Sequence, residues 1–125
     1  MRLKLSIFLV CLLTMGTSAS AQRQSDGFRI TCINANSYCT VERLRVNVGN
    51  MRWYAGVYVE GDGDIGRFTA NSEAQCEAMC ENNPRCVMAE FYFGNQSRRP
   101  ACNLFSYMKR LKYNESGDAT VGVWQ

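Results

Sequence analysis

Cysteine is the residue type in this sequence with the clearest chemistry. The chain has 125 residues and seven cysteines. Cys11 lies in an N-terminal apolar run and is expected to be removed with it, which leaves Cys32, Cys39, Cys76, Cys80, Cys86 and Cys102. An even number of cysteines behind a secretory leader is typical of disulfides. Zinc is the alternative, but the chain has no paired C-x-x-C motif and no His. We therefore predict three disulfides, no metal and no cofactor.

The sequence alone leaves many pairings open, but local geometry narrows them. Cys76 and Cys80 are four residues apart in a predicted helix, so their thiols emerge on one face, one turn apart, and do not easily join each other. Each should reach a different partner outside the helix. The expected bridges are Cys76–Cys102, Cys80–Cys86 and, by elimination, Cys32–Cys39.

The sequence offers little for catalysis. The absence of His removes Ser-His and Cys-His nucleophiles. The carboxylates of Glu60, Asp62 and Asp64 could act as an acid–base pair, but their glycine-rich turn, Glu60–Gly66, has nothing to desolvate them. A calcium loop is a second possibility for this turn, although it lacks the third acidic ligand and the distal Glu of an EF-hand. We predict an ordinary turn and a protein that is not an enzyme.

Basic side chains are the better candidates for a binding site. Two segments flanking Cys102 carry Arg98, Arg99, Lys109, Arg110 and Lys112. Strand pairing could bring them to one basic edge that binds sulfated or carboxylated glycans or an acidic protein face. The alternative is that these charges only face solvent. Aromatic rings are the other candidates, since they could stack on sugars or anchor a protein interface. They are Trp53, Tyr54, Tyr58, Tyr92, Tyr107, Tyr113 and Trp124, and most of them should be core residues in so small a domain.

Two N-glycosylation sequons occur in predicted loops, Asn95-Gln-Ser97 and Asn114-Glu-Ser116. We expect Asn95 and Asn114 to be modified if the protein is made in a eukaryotic secretory pathway.

The N-terminus has the pattern of a signal peptide. Arg2 and Lys4 precede the almost unbroken apolar run Leu5–Met15, and Ala19-Ser20-Ala21 offers a cleavage site, so residues 1–21 are predicted to be removed. A retained membrane anchor is disfavoured because the run is too short to span a bilayer. Removing Arg2 and Lys4 from the 14 basic residues leaves 12 against 11 acidic ones, so bulk charge gives no reason to expect nucleic-acid binding. We predict a secreted protein, periplasmic in a bacterium, without a membrane span.

The rest of the chain predicts one helix among several strands. Short β-branched and aromatic runs in residues 22–56 read as strands, as do Trp53–Val59, Cys86–Phe93, Cys102–Met108 and Thr120–Trp124. Ser72 followed by Gln75 forms a capping box, and Asn82-Asn83-Pro84 ends the helix. We expect Ala74, Cys76, Ala78, Met79 and Cys80 on its buried side. In the strand Cys86–Phe93, alternation places Val87, Ala89, Phe91 and Phe93 on one face. The fold class is α+β, with an antiparallel sheet packed around the helix.

These elements resemble the PAN/apple domain family. The run Ser72–Tyr92 has two helix cysteines four apart and then Cys86 before small and aromatic residues; Ala101-Cys102-Asn-Leu104 and Ala119–Val123 complete the pattern. The resemblance covers about 57–123. Apple domains proper carry an extra bridge between their termini, and the lack of a cysteine after Cys102 places the chain nearer the plainer PAN type.

The resemblance implies the pairs Cys76–Cys102 and Cys80–Cys86 and a sheet of five or more strands around the helix. It gives a PAN-like domain over 57–125, with residues 22–56 as an N-terminal extension of the same domain. It also implies a non-catalytic module that binds an extracellular protein or a carbohydrate. The alternative is a secreted inhibitor or effector that occludes a partner protein such as a protease.

Overall fold

The computed structural model describes residues 23–114 and 117–125. The predicted signal peptide lies outside the described residues. One α-helix and nine β-strands, all paired antiparallel, make up this part of the chain. In chain order they are β1 (Gln24–Thr31), β2 (Thr40–Asn47), β3 (Met51–Ala55), β4 (Val57–Val59), β5 (Gly66–Thr69), α1 (Glu73–Glu81), β6 (Met88–Tyr92), β7 (Ala101–Phe105), β8 (Leu111–Tyr113) and β9 (Ala119–Trp124). The predicted disulfide-stapled α+β class is confirmed.

A five-stranded sheet with the order β3-β9-β6-β7-β5 forms the centre of the fold. Two smaller sheets, β1-β2 and β4-β8, complete it. The edge strand β3 lies in the stretch expected as an N-terminal extension, so that stretch contributes directly to the central sheet. Where the domain begins remains a prediction.

Gly56 separates two strands that the sequence suggested were one. Its φ of +76° is in the left-handed region that favours glycine. The chain therefore turns between Ala55 and Val57, and β3 and β4 enter different sheets. The expectation of one continuous strand, Trp53–Val59, is wrong because this backbone turn interrupts the apolar run.

The helix begins at the predicted cap. The side chain of Ser72 accepts a hydrogen bond from the Gln75 amide at 3.1 Å, which satisfies one of the free N–H groups of the first turn. The Gln75 side chain accepts from the amide of Asn71 at 2.7 Å. The capping box is thus closed one residue earlier than the usual pattern, in which the second bond returns to the cap residue.

The buried face of α1 differs from the predicted one. Cys76 and Cys80 are fully buried as expected, but Ala74 and Ala78 are exposed. Glu77, expected to face water, is half-buried, and its carboxylate accepts from the Met51 amide at 2.7 Å. Positions 73, 76, 77 and 80 form the face toward the sheet, since they recur at helical spacing. The hydrophobic pattern therefore predicted the wrong face for Ala74 and Ala78. Glu77 lies on the face toward the sheet because its carboxylate binds the backbone of the edge strand β3.

Three disulfides tie these elements together, in the pairs named from the sequence. Cys76–Cys102 joins α1 to β7, and Cys80–Cys86 joins the end of α1 to the segment that enters β6. Cys32–Cys39 closes a short loop between β1 and β2. The loop also binds β8, since the Asn36 amide donates to the Tyr113 carbonyl at 2.7 Å and the Cys39 amide donates to the Leu111 carbonyl at 2.9 Å.

The central strand β6 is buried on both faces. Ala89 and Phe91 pack with the helix cysteines and Trp124, whereas Met88 packs with the apolar residues of β1, β4, β8 and β9. The alternation expected for Val87 to Phe93 is wrong at both ends. Val87 lies outside the strand and packs in the second cluster, and Phe93 is 48% exposed. The prediction of one buried and one exposed face for β6 is wrong because the smaller sheets cover the face that the helix does not cover.

We predict that Cys76→Ala/Cys102→Ala lowers the free energy of unfolding by about 3–4 kcal/mol, because this bridge closes a long loop of the unfolded chain. The matched pair Cys32→Ala/Cys39→Ala should cost about 2 kcal/mol, since its cysteines are 7 residues apart and not 26. Urea unfolding followed by Trp fluorescence measures both. Equal losses would contradict this order.

Candidate binding cleft

The acidic turn between β4 and β5 has a structural role. Asp64 accepts hydrogen bonds from both the amide and the hydroxyl of Ser106, the former at 2.8 Å, and lies 3.8 Å from the guanidinium of Arg85. Burial acts to raise the pKa of Asp64, but the Ser106 hydrogen bonds and Arg85 together outweigh it and lower this pKa. A carboxylate held ionised and bound in this way is poorly placed to act as a general acid. Among the described residues, no group of three His, Cys, Asp or Glu side chains is placed to hold a metal.

The five basic residues named from the sequence fall into two groups. Arg98 and Arg99 line a shallow groove of about 540 Å³ together with Arg67 and Phe68. Lys109, Arg110 and Lys112 instead lie near the rings of Tyr38, Phe105 and Tyr107. No contact described between residues 23 and 114 joins the two groups. Their role in ligand binding stays a prediction.

Internal contacts engage the second basic group. Lys112 forms a salt bridge with Glu60 at 3.4 Å, and this hydrogen-bonded contact raises the pKa of Lys112. The guanidinium of Arg110 lies 4.2 Å from the centre of the Tyr38 ring, a cation–π contact. Lys109 donates to the carbonyl of Asp62 at 3.3 Å. By contrast, within 23–114 and 117–125 neither Arg98 nor Arg99 forms a salt bridge.

A cleft of about 260 Å³ lies beside the Arg98–Arg99 groove and shares Arg67 and Arg98 with it. Gly56, Gly117 and Ala119 form part of its wall. Its side chains come from β4, β5, β6 and the neighbouring loops: Tyr58, Arg67, Glu90, Tyr92, Arg98, Asn114 and Asp118. We call this the cleft. It combines two aromatic rings, two guanidiniums and two carboxylates, a set suited to a polar ligand.

Glu90 is the buried charge of the cleft, with 7% exposure. Its carboxylate accepts from the Val59 amide at 2.6 Å and from the Asn103 side-chain amide at 3.1 Å. Burial raises the pKa of Glu90, and these two donors and the charge of Arg67 offset the rise only in part. The Oδ1 of Asn103 is buried and has no partner in the described part of the chain. Glu90 therefore binds β4 to the central sheet at a cost in desolvation.

Sequence reasoning missed Glu90 and Arg67 as cleft residues. A signal for Glu90 was present, because it is the one charged residue in the otherwise apolar run Val87–Phe91. Arg67 had no comparable signal. Register decides its position, since β7 pairs Asn103 with both Arg67 and Glu90 and so places the three side chains on one face.

Both predicted glycosylation asparagines lie at the cleft. Asn114 lines it. Asn95 lies in the loop between β6 and β7, exposed, and its side-chain amide donates to the Tyr92 hydroxyl at 2.8 Å. Their modification remains a prediction.

Comparison with known families gives one match. The sequence model of the PAN domain covers residues 49–122, more than half of the chain. No curated protein and no solved structure matches the chain. The match contains the whole central sheet except the last residues of β9, and it contains α1. In the described residues, no helix is long and apolar enough to cross a bilayer.

We predict that Glu90→Gln changes how stability depends on pH. Because folding raises the pKa of Glu90, the folded wild type binds this proton more tightly, and its stability relative to the variant falls as pH rises above about 4.5. The Gln oxygen can still accept from Val59, and Asn103 can turn its unpartnered Oδ1 toward the new amide. Urea unfolding across pH 4 to 8 measures the difference, with Glu81→Gln on the exposed end of α1 as the control. Parallel curves for wild type and Glu90→Gln would refute the assignment.

Proposed function

The chain belongs to the PAN domain family, whose members bind proteins or carbohydrates and are generally not catalysts, and on that premise we propose that it is a secreted, non-catalytic module that binds an acidic carbohydrate in the cleft. The observation that carries this proposal is the meeting of the Tyr58 and Tyr92 rings with the Arg67 and Arg98 guanidiniums in one cavity. Aromatic faces stack on sugar rings, and guanidiniums bind carboxylate or sulfate groups through paired hydrogen bonds.

The charges around the cleft support an acidic ligand. Arg98 and Arg99 lie on an exposed loop without salt bridges in the described residues, so their charge is available to an outside anion. The guanidinium of Arg67 lies over the Tyr92 ring, 5.9 Å from its centre, so this cation and this aromatic ring are held together in the cleft. Sugar hydroxyls could donate to the exposed carboxylate of Asp118. The Lys109, Arg110 and Lys112 group is a weaker candidate because Lys112 is paired with Glu60 and none of the three lines the cleft.

The same contacts support a module without catalysis. The chain contains no His, and its six bridged cysteines offer no thiol. Both oxygens of Glu90 accept hydrogen bonds within the protein, and Asp64 is bound to Ser106. Neither carboxylate is free to move a proton on a ligand.

Occlusion of a partner protein is a second candidate, favoured by the Cys32–Cys39 loop. Ile33 in this loop is 81% exposed, and the disulfide with the hydrogen bonds to β8 holds the loop in one shape. An apolar side chain presented on a constrained loop is suited to insertion into a pocket of another protein.

Secretion forms part of the proposal. The pattern of residues 1–21 and the three disulfides both favour an oxidising compartment. We expect the protein recovered from the medium of a secreting host to begin at Gln22 and to contain no free thiol. N-terminal sequencing and thiol titration check this; an intact N-terminus or a titratable cysteine at 76 or 80 would contradict it.

We predict saturable binding of the purified, unglycosylated protein to carboxylated or sulfated sugars on a glycan array, weakened about 10–100-fold by Arg98→Ala. Loss of one charge-assisted hydrogen-bonded contact costs about 1.5–3 kcal/mol, which corresponds to that range. Arg67→Ala should weaken binding to a similar extent, and Arg67→Ala/Arg98→Ala should lose it.

The matched control is Arg43→Ala/Arg45→Ala, which removes two arginines from β2, away from the cleft. It should bind as the wild type does. Binding lost in Lys109→Ala/Arg110→Ala but kept in Arg98→Ala would place the ligand elsewhere. No binding to the array, together with inhibition of a protease that is lost in Ile33→Ser, would reject the carbohydrate proposal in favour of occlusion.

A further inference from the structure

The asparagines of the two sequons, separate in sequence, both lie at the cleft. Asn114 is part of the cleft wall. Asn95 contacts a residue that lines the cleft, since its Nδ2 donates a hydrogen bond to the Tyr92 hydroxyl at 2.8 Å. We propose that an N-glycan on Asn95 covers the mouth of the cleft, so that glycosylation of this sequon regulates access to the site.

The Asn95 side chain organises the loop that carries Arg98. Its Oδ1 accepts from the amide of Ser97, the hydroxyl of Ser97 and the amide of Arg98, each at 2.9 Å. The backbone amide of Asn95 donates to the Arg98 carbonyl at the same distance. The side chain therefore has a defined direction, with Oδ1 toward the loop and Nδ2 toward the Tyr92 hydroxyl.

Glycosylation is compatible with this hydrogen-bond arrangement. In the transfer, Nδ2 forms a bond to C1 of the first sugar of a lipid-diphosphate-linked oligosaccharide. The bond between C1 and the diphosphate oxygen breaks, the lipid diphosphate leaves, and one of the two Nδ2 protons is lost to solvent or to the transferring enzyme. The product keeps Oδ1 as an acceptor and one N–H as a donor. The three bonds to Oδ1 and the bond to Tyr92 can thus persist.

The position of the first sugar follows from this geometry. It is attached to an atom 2.8 Å from the hydroxyl of Tyr92. The glycan therefore begins at the rim of the cleft, beside the ring proposed to stack on a ligand. In the proposed arrangement, its bulk lies over the mouth of the cleft and keeps an outside ligand from the site.

The test uses the full chain secreted from a eukaryotic cell line, with Ser116→Ala in every protein to remove the second sequon. Ser97→Ala removes the Asn95 sequon but keeps two of the three bonds to Oδ1, and Ser97→Thr keeps the sequon. Intact mass reports the glycan. Hydroxyl-radical footprinting with mass spectrometry then reports the accessibility of Tyr58 and Tyr92, with Tyr107, 53% exposed and outside the cleft, as the internal reference.

We expect the two glycosylated proteins, the one that retains Ser97 and the Ser97→Thr variant, to label at Tyr58 and Tyr92 several-fold more slowly than the Ser97→Ala protein. Labelling of Tyr107 should be equal in all three. Equal labelling of the cleft tyrosines in all three proteins would overturn the inference. So would an intact mass showing Asn95 unmodified in both sequon-containing proteins.

The regulatory consequence rests on the proposed function, and the same proteins on the glycan array separate the two ideas. Binding by the Ser97→Ala protein and not by the glycosylated forms supports both. Protection of the tyrosines with no array binding by any form supports the covering glycan and rejects carbohydrate binding. Equal binding with and without the glycan rejects the inference and leaves the proposed function standing.

Discussion

The Cys76–Cys102 disulfide is the constraint on which the rest of this structure depends. It fastens α1 to β7 at the residue that pairs with Phe91 of the central strand. Because neighbouring residues of a strand face opposite sides, Cys102 and Phe91 lie under the helix, and Asn103 and Glu90 face away from it. A shift of one residue in this pairing would exchange the two faces and put a carboxylate into the apolar cluster under α1. The Cys76–Cys102 disulfide, the register between β6 and β7, and the position of Glu90 in the cleft therefore depend on one another.

Glu90 links the stability of the central sheet to the shape of the cleft. A buried carboxylate is costly, and here the Val59 amide, the Asn103 side chain and the charge of Arg67 offset part of that cost. The same contacts hold the short strand β4 against the central sheet and bring Tyr58 to the cleft wall. A charge at the centre of a sheet thus holds together the walls of the cleft.

The electrostatics of the surface separate two kinds of basic residue. Lys112 and Arg110 are engaged with Glu60 and Tyr38, and so they stabilise the packing of the Cys32–Cys39 loop against β8. Arg98 stands on a loop whose shape is set by the side chain of Asn95. The PAN domain family is a family of protein- or carbohydrate-binding modules, and in the described residues the loop leaves Arg98 exposed and without a salt bridge.

Interactions between residues close in sequence made several features of this protein predictable from the sequence alone. The α+β class, the start of the helix at Ser72 and the family followed from cap, spacing and strand patterns, because these depend on residues close in sequence. The structure bonds the cysteines in the predicted pairs, which followed from the common helix face of Cys76 and Cys80 and from the family resemblance. Only the tertiary structure decided that Glu77 and not Ala78 faces the sheet, that β6 is buried on both faces, and that Arg67 and Arg98 share one cleft while Lys109 lies elsewhere. Each of these depends on strand order and register, and hydrophobic periodicity within a single strand or helix carries no information about which distant segment covers it.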